Sequence, residues 1–488
     1  MTLPLTRPPK DGGRDPGALE SLAAGTARWW GWLGQEWLAL RDDLLPSPSA
    51  GAEPGTGGRQ RPERGAGRRT VAGALAACAL FAAAVAVIST DHPQHLWGVL
   101  AAGTYALAAL AVLGWRRHGL RLALPISAAG AVLVPLCWLA ATGSGQPEVT
   151  VVMHSAWLFL HHGTPYHAAA AIAASNSPNV YNPYLPALAV FGLPHALFGT
   201  GILTDPRIWF GLVFIAAFGA ALRIGSVPHP WLWTAVVTAS PIIAYPLSTG
   251  GDDLPVLAMM CLGLALLRPA QTRTWSRIAA AGLVLGLAAA MKATAWPALA
   301  VAGALLAVRD GWRTATALVI TALGVAALAD GPVLVAQPGS VAANTILFPL
   351  GLTKIKSPAA SLLPGHLIAQ TWTWGHYAAI GLVLLAALSV AASLLLRPPR
   401  DVHAAGWRLV IGLVLMFAFA PASRFGYVVY PLGLSALLLL TMPNRVTSRA
   451  ASPAPPADAG DSNEREDADD RKESPHAGRI FDHPAWRR

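Results

Sequence analysis

Glu148 is the only carboxylate between Gly143 and Tyr184. The same segment carries His154, His161 and His162 and the elements Gly163-Thr164-Pro165-Tyr166 and Tyr181-Asn182-Pro183-Tyr184. A carboxylate held against a hydroxyl and partly desolvated can take its proton as a general base. On residue chemistry alone the plainer reading, a solvated loop acid, is favoured. Lys292 lies in Leu287–Pro297 with apolar sequence on both sides. It is either a cation facing an anion or a lysine snorkelling from a short turn. Arg424, in the turn Ala420–Tyr427, has a planar fork that suits phosphate, with a lipid headgroup as the alternative partner. Asp252 and Asp253 follow two glycines and open a helix, where the helix dipole alone favours carboxylates. That capping role is preferred here to a catalytic one. His154 and His161 share a face if their run is helical. No cysteine or HxxxH spacing accompanies them, so they read as polar-face histidines and no metal site is assigned.

The elements that must position these residues are apolar. The chain has 488 residues, of which 54% are hydrophobic and 12% charged, with mean hydropathy +0.47. A soluble domain carries about 25% charge. Many of the apolar runs approach the ~20 residues that cross a bilayer as a helix. The fold class is therefore an all-α polytopic membrane protein. A transmembrane β-barrel would alternate polar and apolar residues, and these runs are continuous. The net charge of +10 comes from arginine clusters at one set of helix ends, which is the pattern of cytoplasmic loops and not of a nucleic-acid surface. Cys78, Cys137 and Cys261 all fall in apolar runs and imply no disulfide framework. No cleavable signal pattern precedes the first apolar run near Val71.

Residues 1–70 read as a disordered cytoplasmic tail holding an amphipathic helix, 18–45, that lies on the membrane surface. Residues 71–442 read as a bundle of about twelve transmembrane helices, with outer loops at 143–184 and 330–376. Within it Trp231–Leu247 is one crossing, Pro186–Phe198 is interfacial or re-entrant, and Ala315–Ala329 ends where the second outer loop begins. Residues 443–488 read as a second disordered cytoplasmic tail. On this topology Arg223, Arg268, Arg273, Arg309, Arg313, Arg397 and Arg400 lie inside, as insertion requires. Glu148, Asp252, Asp253, Lys292, Lys354, Lys356 and Arg424 lie outside, where insertion gives no cause for them.

From Glu148 onward the order of features resembles the multi-pass glycosyltransferases with the GT-C fold. The nearest are the polyprenol-phosphate-mannose-dependent mannosyltransferases of family eighty-seven. That family's loop acid, aromatic helix and Gly-x-Pro-Tyr element are matched by Glu148, the run around Trp157 and Gly163–Tyr166. Its Tyr-x-Pro element is matched by Tyr181–Pro186, and its Gly-polar turn by Gly250–Asp253. Its Gly-rich helix ending in lysine is matched by Gly282–Lys292, and its last polar turn by Ser423-Arg424 and Tyr427. The resemblance spans about residues 120–442. The sequence departs from the pattern in having Glu148 where Asp is usual, and Gly251-Asp252 in place of Gly-Gln.

The resemblance implies sugar transfer, with mannose as the expected sugar, from a polyprenyl-phosphate donor to a glycan or glycolipid acceptor at the extracytoplasmic face of the cell membrane. Both termini would be cytoplasmic. Glu148 would be the base in an inverting reaction, and Lys292 and Arg424 would hold the donor phosphate. Tyr166, Tyr184, Asp252 and His154 would complete the substrate-binding set. No cofactor, metal or nucleic acid is implied. A transporter or flippase for a lipid-linked or anionic solute would use the same inventory. It would also be expected to show inverted repeats with matched broken helices, and no such repeat is evident. A non-catalytic envelope scaffold is the third reading.

Overall fold

A computed structural model describes residues 64–269, 275–355, 357, 359 and 361–442. The expected helix at 18–45, both tails, Arg273 and Lys356 lie outside the described residues. Every regular element among the described residues is helical.

Helices α1 (Arg64–Ile88) and α2 (His92–Gly114) form a hairpin. Gly98 lets their backbones meet, since a Cβ there would stand 2.6 Å from Ala86 N. The next span, α3 (Gly119–Ala141), contains Pro125 and loosens into a π turn at Ala129–Leu133. A proline that cannot donate its N–H commonly accompanies such a break.

Helix α4 (Pro147–His162) occupies the first expected outer loop. Pro147 at its first position presets the backbone, and Gly163 ends it at φ +69. Residues 186–198 follow as a 3-10 segment, Pro186–Gly192, and a short helix, Leu193–Phe198. A Cβ on Gly192 would lie 2.3 Å from Val152 O, so this segment packs directly on the α4 backbone.

Two sequence readings are corrected. The expected crossing Trp231–Leu247 is two helices, α6 (Pro230–Thr238) and α7 (Pro241–Thr249), which follow α5 (Pro206–Ile224). Ser240 is extended, with ψ 150, because the ring of Pro241 crowds a helical conformation at the preceding residue. After α8 (Asp253–Leu266), α9 (Trp275–Met291) and α10 (Trp296–Arg309) comes α11 (Trp312–Ala336). It runs on through Asp330 instead of ending at Ala329. Asp330 Oδ1 accepts a hydrogen bond from Ala187 N, which gives the acid a partner within the helix bundle.

The chain closes with α12 (Gly375–Leu396), α13 (Val402–Phe419) and α14 (Val429–Leu440). Among the described residues, seven helices are long and apolar enough to cross a membrane: α1, α2, α3, α5, α11, α12 and α13. Of the about twelve expected crossings, these seven and four shorter apolar helices are present and Trp231–Leu247 is broken in two; with the expected re-entrant segment, five shorter apolar segments lie among the described residues. The five are Pro186–Phe198, α8, α9, Ala293–Arg309 and Phe425–Leu440. The protein is an all-helical, multi-pass membrane protein.

The core forms where these helices meet. Phe210, Phe214 and Phe218 of α5 are fully buried and share one core with Leu254, Leu257 and Cys261 of α8. Gly282 and Gly286, four residues apart, face α11. A Cβ on Gly286 would stand 2.6 Å from Ala322 O and 2.8 Å from its Cα. Small residues at this spacing allow helices in lipid to approach at backbone distance. Because α9 ends at Met291, this contact also sets the position of Lys292. Replacing Gly286 with Leu is expected to cost about 1–3 kcal/mol through overpacking. The check is a thermal melt of the purified protein, in which Gly103→Leu serves as the control because a Cβ there meets nothing within 4 Å.

Candidate active site

Three connections between helices converge at one end of the bundle. The first is the turn Gly250–Asp252 between α7 and α8. Gly251 takes φ +84, a conformation L side chains rarely adopt, and this swings the chain so that two aspartates begin α8. The second is the break between α9 and α10 at Lys292, which is extended with φ −150. The third is the turn after α13, where Arg424 is extended before the 3-10 turn Phe425–Val428.

At their meeting point the Lys292 ammonium lies 2.6 Å from Asp252 Oδ2 and 2.5 Å from Asp253 Oδ1. Lys292 is 6% exposed and Asp252 5%. Asp252 makes no side-chain hydrogen bond to the helix it precedes, so the capping role preferred from sequence is not what its carboxylate does. Tyr430 donates its hydroxyl to Asp253 Oδ1 at 2.8 Å and accepts from Thr294 Oγ1 at 3.0 Å. The Tyr184 ring lies under the ammonium, 4.7 Å from centroid to Nζ. Leu185 N donates to Met291 O, so the Tyr184 segment is fastened to the end of α9. A lysine flanked by two acids and a π face is fully compensated, which is how a buried charge is tolerated.

Glu148, in the first turn of α4, pairs with Arg424. Its other oxygen, Oε2, is enclosed and has no hydrogen-bond partner among the described residues. Arg424 is the more open partner, with its side chain 34% exposed against 12% for Glu148. The Arg424 turn is itself anchored. Ser423 and Ser361 share a hydrogen bond of 2.6 Å, and His366 Nδ1 lies 2.9 Å from Pro421 O.

Tyr427 joins the two ion-paired groups. It lies within electrostatic reach of Lys292, Asp252, Asp253 and Arg424 and stacks on Phe417 at 5.1 Å. Glu148 with Arg424, and Lys292 with Asp252 and Asp253, are therefore two ion-paired groups near Tyr427, which together make a polar cluster. Its three carboxylates face two cations, which leaves one negative charge in excess.

The remaining expected residues sit elsewhere or play supporting parts. Tyr166 is 1% exposed, with its hydroxyl donating to Tyr184 O at 2.9 Å, so it props Tyr184 from behind. Asn182 does the same from the backbone side. It accepts from Tyr184 N, donates to Ser155 Oγ and takes Asn344 Oδ1 on its own N–H. His154 is not part of the cluster. It stacks between Trp157 and His167, with ring centroids 5.9 and 4.8 Å away. Burial lowers its pKa below the ordinary 6.5, and burial with the neighbouring His154 does the same for His167. His154 lines a cavity of about 480 Å³ together with Thr150, Met153, Trp157, His195 and Arg207. At 100° per residue, Thr150, His154 and Trp157 project from the side of α4 opposite Glu148. The cavity is thus separate from the ionic cluster.

Sequence reading missed Tyr430 and Arg207. Tyr430 follows Tyr427 at i+3, a spacing that places both on one helix face. Arg207 is fully buried. It is gripped by Asp205 through Nε and Nη2, and its Nη1 donates to Ser144 O and Ser248 O. These bonds tie the start of α4 to the approach to Asp252. The Asp205-Pro206-Arg207 sequence at a helix start was the available signal.

The geometry can be set beside known proteins. Residues 182–421 match the family model of glycosyltransferase family 87. That span takes in Tyr184, Asp252, Asp253 and Lys292. It begins after Glu148, His154 and Tyr166 and stops short of Arg424, so it is narrower than the 120–442 expected from sequence. Among solved structures, the fold is similar to the crystal structure of ArnT from Cupriavidus metallidurans in the apo state, with TM-score 0.42 and 15% identity. The alignment covers 69% of this chain and 62% of that one, so the chain spans less than two thirds of the length of the structure it matches. No curated protein matches.

The two carboxylates around Lys292 give a direct test of the pairing. Lys292→Met should destabilise the fold by about 3–5 kcal/mol, because it strands buried acids. The triple change Lys292→Met, Asp252→Asn, Asp253→Asn should recover most of that loss in a denaturation series. Equal melting of the single and triple variants would show that the three groups do not act as a unit.

Proposed function

We propose that this protein transfers a sugar, mannose in the first instance, from a polyprenyl-phosphate carrier to an acceptor hydroxyl at the extracytoplasmic membrane face. The observation that carries the reading is the convergence of Glu148, Arg424, Lys292, Asp252 and Asp253 in one cluster at one end of a membrane bundle. The match of residues 182–421 to glycosyltransferase family 87 supports it. The GT-C architecture expected from sequence belongs to the same proposal.

In this reading the acceptor hydroxyl gives its proton to Glu148 as its oxygen bonds to the anomeric carbon. The bond from that carbon to the phosphate oxygen breaks, its electron pair leaves with the phosphate, and the configuration inverts. Arg424 meets the charge that develops on the phosphate. Lys292 is committed to Asp252 and Asp253, so its part is to fix those carboxylates and the field around Tyr427, with Tyr184 packed beneath it. The donor-binding role expected of Lys292 passes to Arg424. The prenyl chain would lie along the lipid-facing helices.

The test is turnover in membranes supplied with labelled polyprenyl-phospho-mannose and a mannoside acceptor. Glu148→Gln should lower the rate by about 10²–10⁴-fold, the span usual for a general base. Equal rates in wild type and variant would remove Glu148 as the base. Orientation is tested separately by placing a cysteine at Ser144 in a chain whose three native cysteines are replaced. A membrane-impermeant maleimide should label it in intact cells. Labelling only after permeabilisation would put the cluster on the cytoplasmic face and end the proposal as stated.

A further inference from the structure

We propose that Arg424 is an exchangeable anion site, where the donor phosphate takes the place that Glu148 occupies and thereby releases Glu148 to act as base. The inference rests on the transferase reading above and adds an order of events to it.

The two cations of the cluster differ in what they have free. Lys292 is 6% exposed, holds a carboxylate on each side and rests on the Tyr184 ring. An incoming anion would have to displace two acids that have nowhere else to go. Arg424 has one carboxylate partner and a side chain one-third exposed. Its backbone is held through Ser423 and Pro421, so the guanidinium can change partner without the turn moving. Its fork offers two parallel donors, which suit a phosphate at least as well as a carboxylate.

Glu148 has the complementary property. It stands in the first turn of α4, facing both a guanidinium and a helix N-terminus. Both hold it ionised and make it a poor proton acceptor. A phosphodiester seated on Arg424 reverses this. It removes the neighbouring cation and adds a like charge to a cluster that already has one acid in excess, and each change favours protonation of Glu148. The enclosed and unpartnered Oε2 is the oxygen placed to receive the proton. The sequence of events conserves charge and atoms. Phosphate oxygens pair with Arg424 and the carboxylate contact opens. The acceptor proton passes to Glu148 as the new bond to the anomeric carbon forms and the bond to phosphate breaks. When the prenyl phosphate departs, Glu148 loses the proton to water and the pair closes again.

Coupling of this kind is reciprocal, so removing the internal competitor must strengthen phosphate binding. The probe is farnesyl phosphate, which carries a prenyl chain and a phosphate but no sugar, titrated into the full-length protein in nanodiscs. Glu148→Gln should bind it about two- to fivefold more tightly than wild type, the range expected for loss of a partly exposed ion pair. Glu148→Ala serves as the second variant should the glutamine protein fold poorly. Arg424→Gln should lose most of the affinity, and the double variant should bind as weakly as Arg424→Gln alone. Farnesol, which lacks the phosphate, should bind wild type and Glu148→Gln alike. Equal or weaker binding of farnesyl phosphate by both Glu148 variants overturns the exchange, as does binding by none of the proteins. If the exchange fails while wild type still turns over polyprenyl-phospho-mannose, the transferase reading survives without it. If the affinity pattern holds but no polyprenyl-phospho-sugar is turned over, Arg424 stands as the anion site and the transferase reading falls.

Discussion

The ammonium of Lys292 between Asp252 and Asp253 is the constraint on which the site depends. None of the three could be buried alone. An ionised group stripped of water costs several kcal/mol unless a partner compensates it. They come from two breaks in the bundle, the Gly250–Asp252 turn and the gap between α9 and α10. The pairing therefore fixes the distance between those breaks. Tyr430 and Thr294 bring α14 into the same arrangement through Asp253. Tyr184 brings in the segment after α4. With these four pieces held, Glu148 and Arg424 are left facing each other at the rim.

Much of this could be read from the chain, and the reasons are specific. Continuous apolar runs and sparse charge gave the helical membrane architecture. Lys292 and Arg424 stand out because each interrupts apolar sequence at an end where insertion does not call for charge, and Glu148 stands out through the family resemblance. Their partners were not legible. Lys292 lies 40 residues from Asp252, and Glu148 lies far from Arg424 in sequence, so nothing local reports either pairing. For that reason Asp252 was read as a helix cap. A carboxylate at a helix start looks the same in sequence whether it turns to the backbone or to a lysine on another helix. Trp231–Leu247 was read as continuous because its hydropathy does not change at Ser240, although Pro241 was in view. His154 is expected in the same substrate-binding set as Glu148, but six positions along one helix turn it about 120° away from that residue.

The opposite end of the bundle is organised differently, and the contrast is informative. There the arginines serve chain ends. Arg268 donates to Thr441 O, Arg309 to Leu267 O, and Arg408 to Arg397 O and Ala404 O. Thr441, Leu267 and Arg397 are C-caps, where open carbonyls and the helix dipole favour cations, while Ala404 lies in the first turn of α13. Arg309 also pairs with Asp310, its neighbour in sequence, whereas Lys292 and Arg424 at the other end pair with acids from distant segments. One end of the molecule uses positive charge to finish helices, and the other uses it to hold carboxylates against one another.

The same arginine contacts show that α8, α10 and α14 finish together, while their lengths are only 14, 14 and 12 residues. At about 1.5 Å per residue each reaches roughly 18–21 Å, against a hydrocarbon layer of about 30 Å. Their polar ends accordingly stop short of the depth that α13, at 18 residues, attains beside them. Most of α8 and α14 is enclosed by neighbouring helices, so the longer spans around them, and not these helices, meet the lipid. Setting the ends of short helices among longer ones holds a charge such as that of Lys292 inside the bundle, where little water competes for it.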